Sequence, residues 1–300
     1  MTVRIGTSEP GGTFHRQGGA LKLVLDRDPS LRPIQVLECR SASIENAHRL
    51  HRGEIDFGFM AANWIGRAYK GESPFNEPLA LSMASPMNAG PLFFVVPATS
   101  GLRAVSDLRG RRIAVGPQTS GMVQHAQVIL GVLGMSFAEI TPLYLDFAAG
   151  ARALMAGEVD AQFQCPIPNA VMTELDTRMA LRVLPYDEGQ LETLLAAVSF
   201  YRRTVMRKGA LRALEADLPQ LVVINVLVTH ARVPDNVVRQ VVTAILAHTA
   251  ELGRLNALFL GLRELFEPLQ SDGVCAFEFG GVPLHPGAVR AYSDAGLLRG

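Results

Sequence analysis

Residues 50–59 read Leu-His-Arg-Gly-Glu-Ile-Asp-Phe-Gly-Phe, and residues 154–163 read Leu-Met-Ala-Gly-Glu-Val-Asp-Ala-Gln-Phe. Both fit the pattern L-x-x-G-E-[IV]-D-x-x-F. The pattern describes a helix whose last apolar residue is Leu, a Gly able to take the left-handed C-terminal cap, and an acidic turn into a short strand. Upstream of the first copy, the strand-like residues 3–6 lead into Thr7-Ser8-Glu9-Pro10-Gly11-Gly12-Thr13. Upstream of the second, residues 112–116 lead into Pro117-Gln118-Thr119-Ser120-Gly121. Each Gly-rich turn precedes a helical stretch, and a further strand candidate follows at residues 34–38 and 142–145. Each half therefore reads β-turn-α-β-α-β, and each Gly-rich turn falls at the carboxyl end of a parallel strand, where crevices of open α/β sheets collect ligands.

A chain of 300 residues exceeds the usual size of one α/β unit, so two lobes on one polypeptide are expected. The apolar residues 92–97, flanked by Pro91 and Pro97, predict a strand that leaves the first lobe. The apolar residues 221–229 predict the return, after a charged, helix-like stretch at 201–217. Pro234, Asp235 and Asn236 then open a helix whose Val237, Val238, Val241, Val242, Ile245 and Leu246 form one apolar stripe. The expected division places residues 1–93 and 222–300 in lobe 1 and residues 94–221 in lobe 2. Two connecting segments make a hinge of low torsional freedom.

Composition narrows the function classes. The 28 Lys plus Arg balance 28 Asp plus Glu, so no charge excess argues for nucleic acid or an anionic membrane surface as partner. The apolar run at 221–228 is interrupted by Asn225 and falls far short of the roughly 20 residues that cross a bilayer. Cys39, Cys165 and Cys275 are too widely spaced for a thiolate metal site or a disulfide framework. Residues 1–6 lack the regions of a secretory leader, which leaves two expectations open: a trimmed leader, or a chain that stays in the cytoplasm.

The first turn offers backbone N–H groups at a helix N-terminus, a ready site for a carboxylate, with Gly12, Phe14 and the Thr7, Ser8 and Thr13 hydroxyls around it. The alternative is a plain turn with a Ser or Thr cap. Gln118, Thr119, Ser120 and Gly121 repeat the arrangement in the second half. Absence of the P-loop Lys and of G-x-G-x-x-G spacing disfavours nucleotides. Arg40, Ser43 and Asn46 flank the start of the next helix. Arg40 either pairs with a ligand carboxylate or makes a surface ion pair with Glu38 or Glu45. Arg16 reads as a surface residue. Asn63 and Trp64 follow the first repeat strand, where side chains would enter a crevice, and Gln164 and Pro166 are expected at the matching place in the second half; Trp64 either stacks on a ligand or packs in the core. His48 and His51 read as solvated helix residues because no third metal ligand has matching spacing. His285 reads as structural, and Asp56 and Asp160 as caps of equivalent turns rather than a general acid and base.

Four segments extend the comparison: Ile5-Gly6-Thr7 with Gly11-Gly12-Thr13-Phe14 and Gly18-Gly19; Ser43-Ile44-Glu45-Asn46; Ser106-Asp107-Leu108-Arg109-Gly110 running to Val115-Gly116; and Pro283-Leu284-His285-Pro286-Gly287-Ala288. In this order the chain resembles the TAXI solute receptors of tripartite ATP-independent periplasmic (TRAP) transporters. The resemblance implies a two-lobed α/β fold of the periplasmic-binding-protein type (type II), with two crossover segments forming the hinge of a ligand cleft. It also implies a monomeric, periplasmic receptor that captures a small organic acid or amino acid and delivers it to TRAP-type membrane subunits, with no catalytic step and no cofactor or metal. The competing expectations are a cytoplasmic enzyme, decarboxylase-like, or a ligand sensor on the same scaffold.

Overall fold

The computed structural model describes residues 2–10, 12–31, 33–39, 42–118, 120–164, 167 and 169–298. Two compact units emerge, one of Met1–Ala89 with Ile224–Gly300 and one of Gly90–Val223. The first contains β1 (Val3–Gly6), α1 (Thr13–Leu25), β2 (Ile34–Leu37), α2 (Ala42–Arg52), β3 (Phe57–Ala61) and α3 (Ala62–Lys70). Strand β4 (Leu81–Pro97) runs through both units. The second unit adds β5 (Arg112–Ala114), α4 (Gly121–Val132), β6 (Thr141–Leu143), α5 (Phe147–Met155), β7 (Ala161–Gln164), α6 (Ala170–Arg178), β8 (Leu181–Val183), α7 (Glu188–Ala197) and β9 (Tyr201–Met206). Strand β10 (Leu218–His230) returns to the first unit, followed by α8 (Asp235–Ala247), α9 (Thr249–Leu255), α10 (Pro268–Asp272) and α11 (Pro286–Asp294).

Both units use the same strand plan. In the first, β1 pairs in parallel with β2 and β3, and β3 pairs antiparallel with β10. In the second, β5 pairs in parallel with β6 and β7, and β7 pairs antiparallel with β4. The repeat motif closes each plan in the same way. Gly53 and Gly157 take φ of 73° and 72°, the left-handed region where a Cβ would be strained. Glu54 N–H then donates to Arg49 O at 2.9 Å, and Glu158 N–H to Ala153 O at 2.9 Å. These bonds satisfy the orphan carbonyls that end each helix.

The two Asp residues of the motif do not cap their turns. Asp56 accepts from Arg4 N–H at 2.8 Å, from its Nε at 3.0 Å and from its Nη2 at 2.8 Å. Asp160 accepts from the same three donors of Arg112, at 2.9, 3.2 and 2.8 Å. Each carboxylate thus clips the third strand of its unit to the first. An Arg in the first strand of the unit, more than 40 residues upstream, supplies the partner that local sequence does not show.

Residues 201–206 form β9 rather than a helix, paired antiparallel with β10 from Tyr201↔Val223 to Leu218↔Met206. Tyr201 and Met206 are buried while Arg203 and Val205 are exposed and Arg202 is half-buried, so the strand keeps its basic side chains at least partly in solvent. Packing on α1 and α11, α8 buries its stripe at Val237, Val238, Val241, Val242 and Ile245. The second unit has its own core around Phe93, Val95, Ala114, Leu154, Met172 and Leu181.

Candidate functional site

The carboxyl ends of the parallel strands carry the candidate residues of each unit. In the first unit, β1 ends at Gly6 and the chain turns into α1. Ser8 Oγ accepts from His15 N–H at 3.1 Å, and Gly12 O accepts from Arg16 N–H at 3.1 Å. The N–H groups of Thr13 and Phe14 point out of the helix end, as first-turn donors must. Thr13 and Gly12 are half-buried beside them. Other expected ligand groups make hydrogen bonds within the fold. The Thr7 hydroxyl donates to Leu37 O at 3.2 Å. Asn46 Nδ2 donates to Thr7 O at 2.8 Å and to Phe59 O at 3.0 Å, bracing the ends of β1 and β3. Cys39 Sγ lies 3.6 Å from Asn46 Oδ1, and burial pushes its thiol up to about 11. Ser43 Oγ accepts from Ala61 N–H at 3.1 Å.

Aromatic side chains follow the same division. The Phe14 ring stacks on Phe59 at 5.6 Å, and Trp64 is buried with the Arg67 guanidinium 5.6 Å above its ring. Both rings are largely buried in these contacts. Asn63 differs: it is buried, yet its Oδ1 has no hydrogen-bond partner.

In the second unit, Ser120 Oγ accepts from Val123 N–H at 3.4 Å and caps α4, leaving the N–H groups of Gly121 and Met122 directed outward. Gln118 is exposed. Gln164 ends β7, is 0% exposed, and has neither its Nε2 nor its Oε1 hydrogen-bonded. Strands β5 and β7 run in parallel register from Ile113↔Ala161 and Ala114↔Gln162, which carries Gln164 level with Gly116, where the second Gly-rich turn begins. The offset that pairs Gly53 with Gly157 pairs Gln164 with Met60, so Gln164 and Asn63 are not equivalent positions. The repeat also exchanges its polar partner across the helix–strand contact. In the first unit Asn46 on α2 faces Gly58, whereas in the second Gln162 on β7 faces Gly150 and donates to Phe147 O at 2.9 Å.

Arg40, Thr119 and Pro166 lie outside the described residues. Arg16 is exposed, as expected of a surface residue. His48 packs against Phe75, and His51 lies 3.6 Å from Glu77. Among the described residues no group of three or more His, Cys, Asp or Glu side chains could hold a metal ion. The buried His285 caps α11 by accepting from Gly287 N–H at 3.1 Å. Two grooves lie away from the carboxyl ends of the parallel strands. One of about 450 Å³ is lined by Pro97, Leu102, Arg111 and Asp160, and one of about 750 Å³ by Val24, Arg27, Asn236 and Arg239.

Sequence reading missed three residues of the first unit. Gln17 on α1, Asn88 on β4 and Asn225 on β10 are buried and joined to one another: Asn88 Oδ1 accepts from Gln17 Nε2 at 2.9 Å and from Asn225 Nδ2 at 3.2 Å. The available signal was Asn225 itself, a polar residue inside the otherwise apolar run 221–228.

Over its whole fold the molecule can be compared with known proteins. The profile of the NMT1-like family matches residues 5–296. The chain belongs to the NMT1-like family. This NMT1-like chain also resembles solved structures at low identity. A periplasmic sulfonate-binding protein, SsuA, of a putative sulfonate ABC transporter from Methylobacillus flagellatus is 15% identical, with a TM-score of 0.54 over 100% of this chain and 88% of that one. The glutathione-import structure of Streptococcus mutans, described with GshT and the cystine importer TcyBC, is 15% identical, with a TM-score of 0.50 over 87% and 95%. The alkanesulfonate-binding protein SsuA of Xanthomonas axonopodis pv. citri, bound to MOPS, is 22% identical, with a TM-score of 0.49 over 97% and 83%. The NMT1-like chain therefore has the α/β fold of periplasmic binding proteins. No helix among the described residues is long and apolar enough to cross a membrane.

Proposed function

We propose that the chain is a non-catalytic, periplasmic solute receptor that captures a small organic acid or amino acid and hands it to a membrane transporter. The observation that carries this reading is Gln164, a carboxamide at 0% exposure with both polar atoms unpaired at the carboxyl end of a parallel strand. An unpaired buried amide is costly, and a ligand that supplies its partners makes the arrangement favourable. Asn63 Oδ1 is in the same condition in the first unit. The N–H groups at the starts of α1 and α4 are suited to an anionic end of the ligand. Of the residues expected from sequence, Gly12, Thr13, Asn63, Gly121 and Gln164 remain the proposed contacts, with Ser8 and Ser120 shaping the helix ends.

The sulfonate-binding protein that shares the fold is described as part of an ABC transporter. Its full-length likeness favours an ABC-type partner here, while the TAXI-like segments favour TRAP-type subunits. Association of the purified chain with each class of membrane subunits separates the two.

Thermal denaturation against carboxylates, amino acids and alkanesulfonates tests the receptor reading. A true ligand at 100 times its Kd stabilises the fold by about 2.7 kcal/mol. Recovery of the ligand unchanged after incubation supports a receptor, and turnover supports the enzyme alternative. No shift with any class overturns the proposal.

A further inference from the structure

We infer that the cluster of Gln17, Asn88 and Asn225 selects a ligand whose far end is an uncharged carboxamide, so that the solute is an acid amide rather than a diacid. This inference rests on the receptor reading above and narrows its ligand class.

The placement is the first argument. Asn225 is the Cα partner of Ala61, the last residue of β3, and Gly6 at the end of β1 is the partner of Gly58. Asn225 thus lies three residues beyond the end of β1, about 10 Å at strand spacing, on the side where the Gly-rich turn begins. Gln17 is on the second turn of α1, and helical side chains lean toward the helix N-terminus. The cluster and the outward N–H groups of Thr13 and Phe14 therefore occupy the same end of the unit. Asn63, with its unpaired Oδ1, follows β3 at that end too.

The second argument is what the cluster leaves unused. Gln17 is 0% exposed and Asn88 2%, yet Gln17 Oε1 and Asn88 Nδ2 have no partner. One acceptor and one donor remain on two side chains that are bonded to each other. A flip of all three carboxamides would exchange the roles and still leave one donor and one acceptor on Gln17 and Asn88. A primary carboxamide donates through its N–H and accepts through its carbonyl, which matches that pair. A carboxylate only accepts, so it would satisfy Asn88 Nδ2 and set a lone pair against Gln17 Oε1.

Charge supplies the third. Among the described residues of this unit the only buried acid or base with a full charge is Asp56, and Arg4 holds it. A carboxylate at the cluster would meet no buried counter-ion among the described residues of this unit, whereas the ligand's own carboxylate can meet the helix N-terminus.

Calorimetric titration with matched pairs tests the inference: succinamate and succinate, asparagine and aspartate, glutamine and glutamate. In each pair that binds, the amide is expected to bind at least about tenfold tighter, because a site that uses both a donor and an acceptor rejects the analogue that lacks one. Asn88→Asp keeps the two hydrogen bonds that position 88 accepts and turns the free donor into a charged acceptor, so the acids should lose further affinity and the amide preference should rise. Gln17→Leu, which deletes the free acceptor that rejects the acid, should lower the preference and serves if the Asp variant fails to fold. Equal or tighter binding of the acid, a preference that falls in the folded Asp variant, or one that survives undiminished in the folded Leu variant overturns the inference and leaves the receptor reading in place. Binding by neither pair members nor other carboxylates and sulfonates overturns both.

Discussion

Replacing Gln164 by Leu separates a ligand contact from a structural residue, because the two predict changes of opposite sign. Gln164 is fully buried at the end of β7, opposite Phe93 on β4, and neither amide atom is hydrogen-bonded. Leu has similar bulk and no polar atom. An unsatisfied buried donor or acceptor costs about 1–3 kcal/mol, and water reaching the amide would reduce that cost. The substitution should therefore leave the unliganded protein as stable as before or raise its stability by up to about 3 kcal/mol, against the usual loss of about 1 kcal/mol for a random substitution. Stabilisation by an anionic ligand should fall at the same time. Urea unfolding gives the first quantity and thermal shift with the carboxylate and sulfonate panel the second. A loss of more than about 1 kcal/mol with an undiminished ligand response would refute the reasoning, since Gln164 would then be holding the fold together.

The duplicated Arg–Asp clips should differ in strength. The Asp56 side chain is 10% exposed and that of Asp160 30%, so Asp56→Ala should cost about 3 kcal/mol and Asp160→Ala about 1 kcal/mol in urea unfolding; equal costs would disprove the ranking by burial. Two groups should weaken the second unit in acid. Burial lowers the His125 imidazole to about 4, with Nδ1 3.0 Å from the Tyr201 hydroxyl. Its contribution is complete above the unfolded value near 6.5 and declines as pH falls from there toward 4, because the unfolded chain binds the proton first. Hydrogen bonds from Arg112 hold Asp160 below the usual carboxylate range, so its contribution persists to lower pH and is lost as pH falls through that depressed value. His125→Phe should flatten the stability profile between pH 6.5 and 4 and leave the lower limb; an unchanged profile would exclude His125 as its source.

Local chemistry determined the duplicated plan from sequence alone. Gly53 and Gly157 each end a helix because a left-handed residue without a Cβ closes the last turn, and each is followed by a strand because the next apolar residues alternate or run continuously. Such features depend on neighbours within a few positions, so residue order reveals them. The basic stretch at 201–206 was misread for a related reason: an exposed strand face and an exposed helix face carry the same charged residues, and pairing with β10 decides which one forms. Tertiary structure alone decided the roles of the polar side chains. Thr7 and Asn46 are consumed by carbonyls of β2, β1 and β3, Asp56 by an Arg 52 residues away, while Gln164 and the Gln17–Asn88–Asn225 cluster are left with unused hydrogen-bonding capacity. A carboxamide has the same formula whether it braces a strand or waits for a ligand. The distinction lies in which partners the folded chain brings within about 3 Å, and those come from segments far apart in sequence.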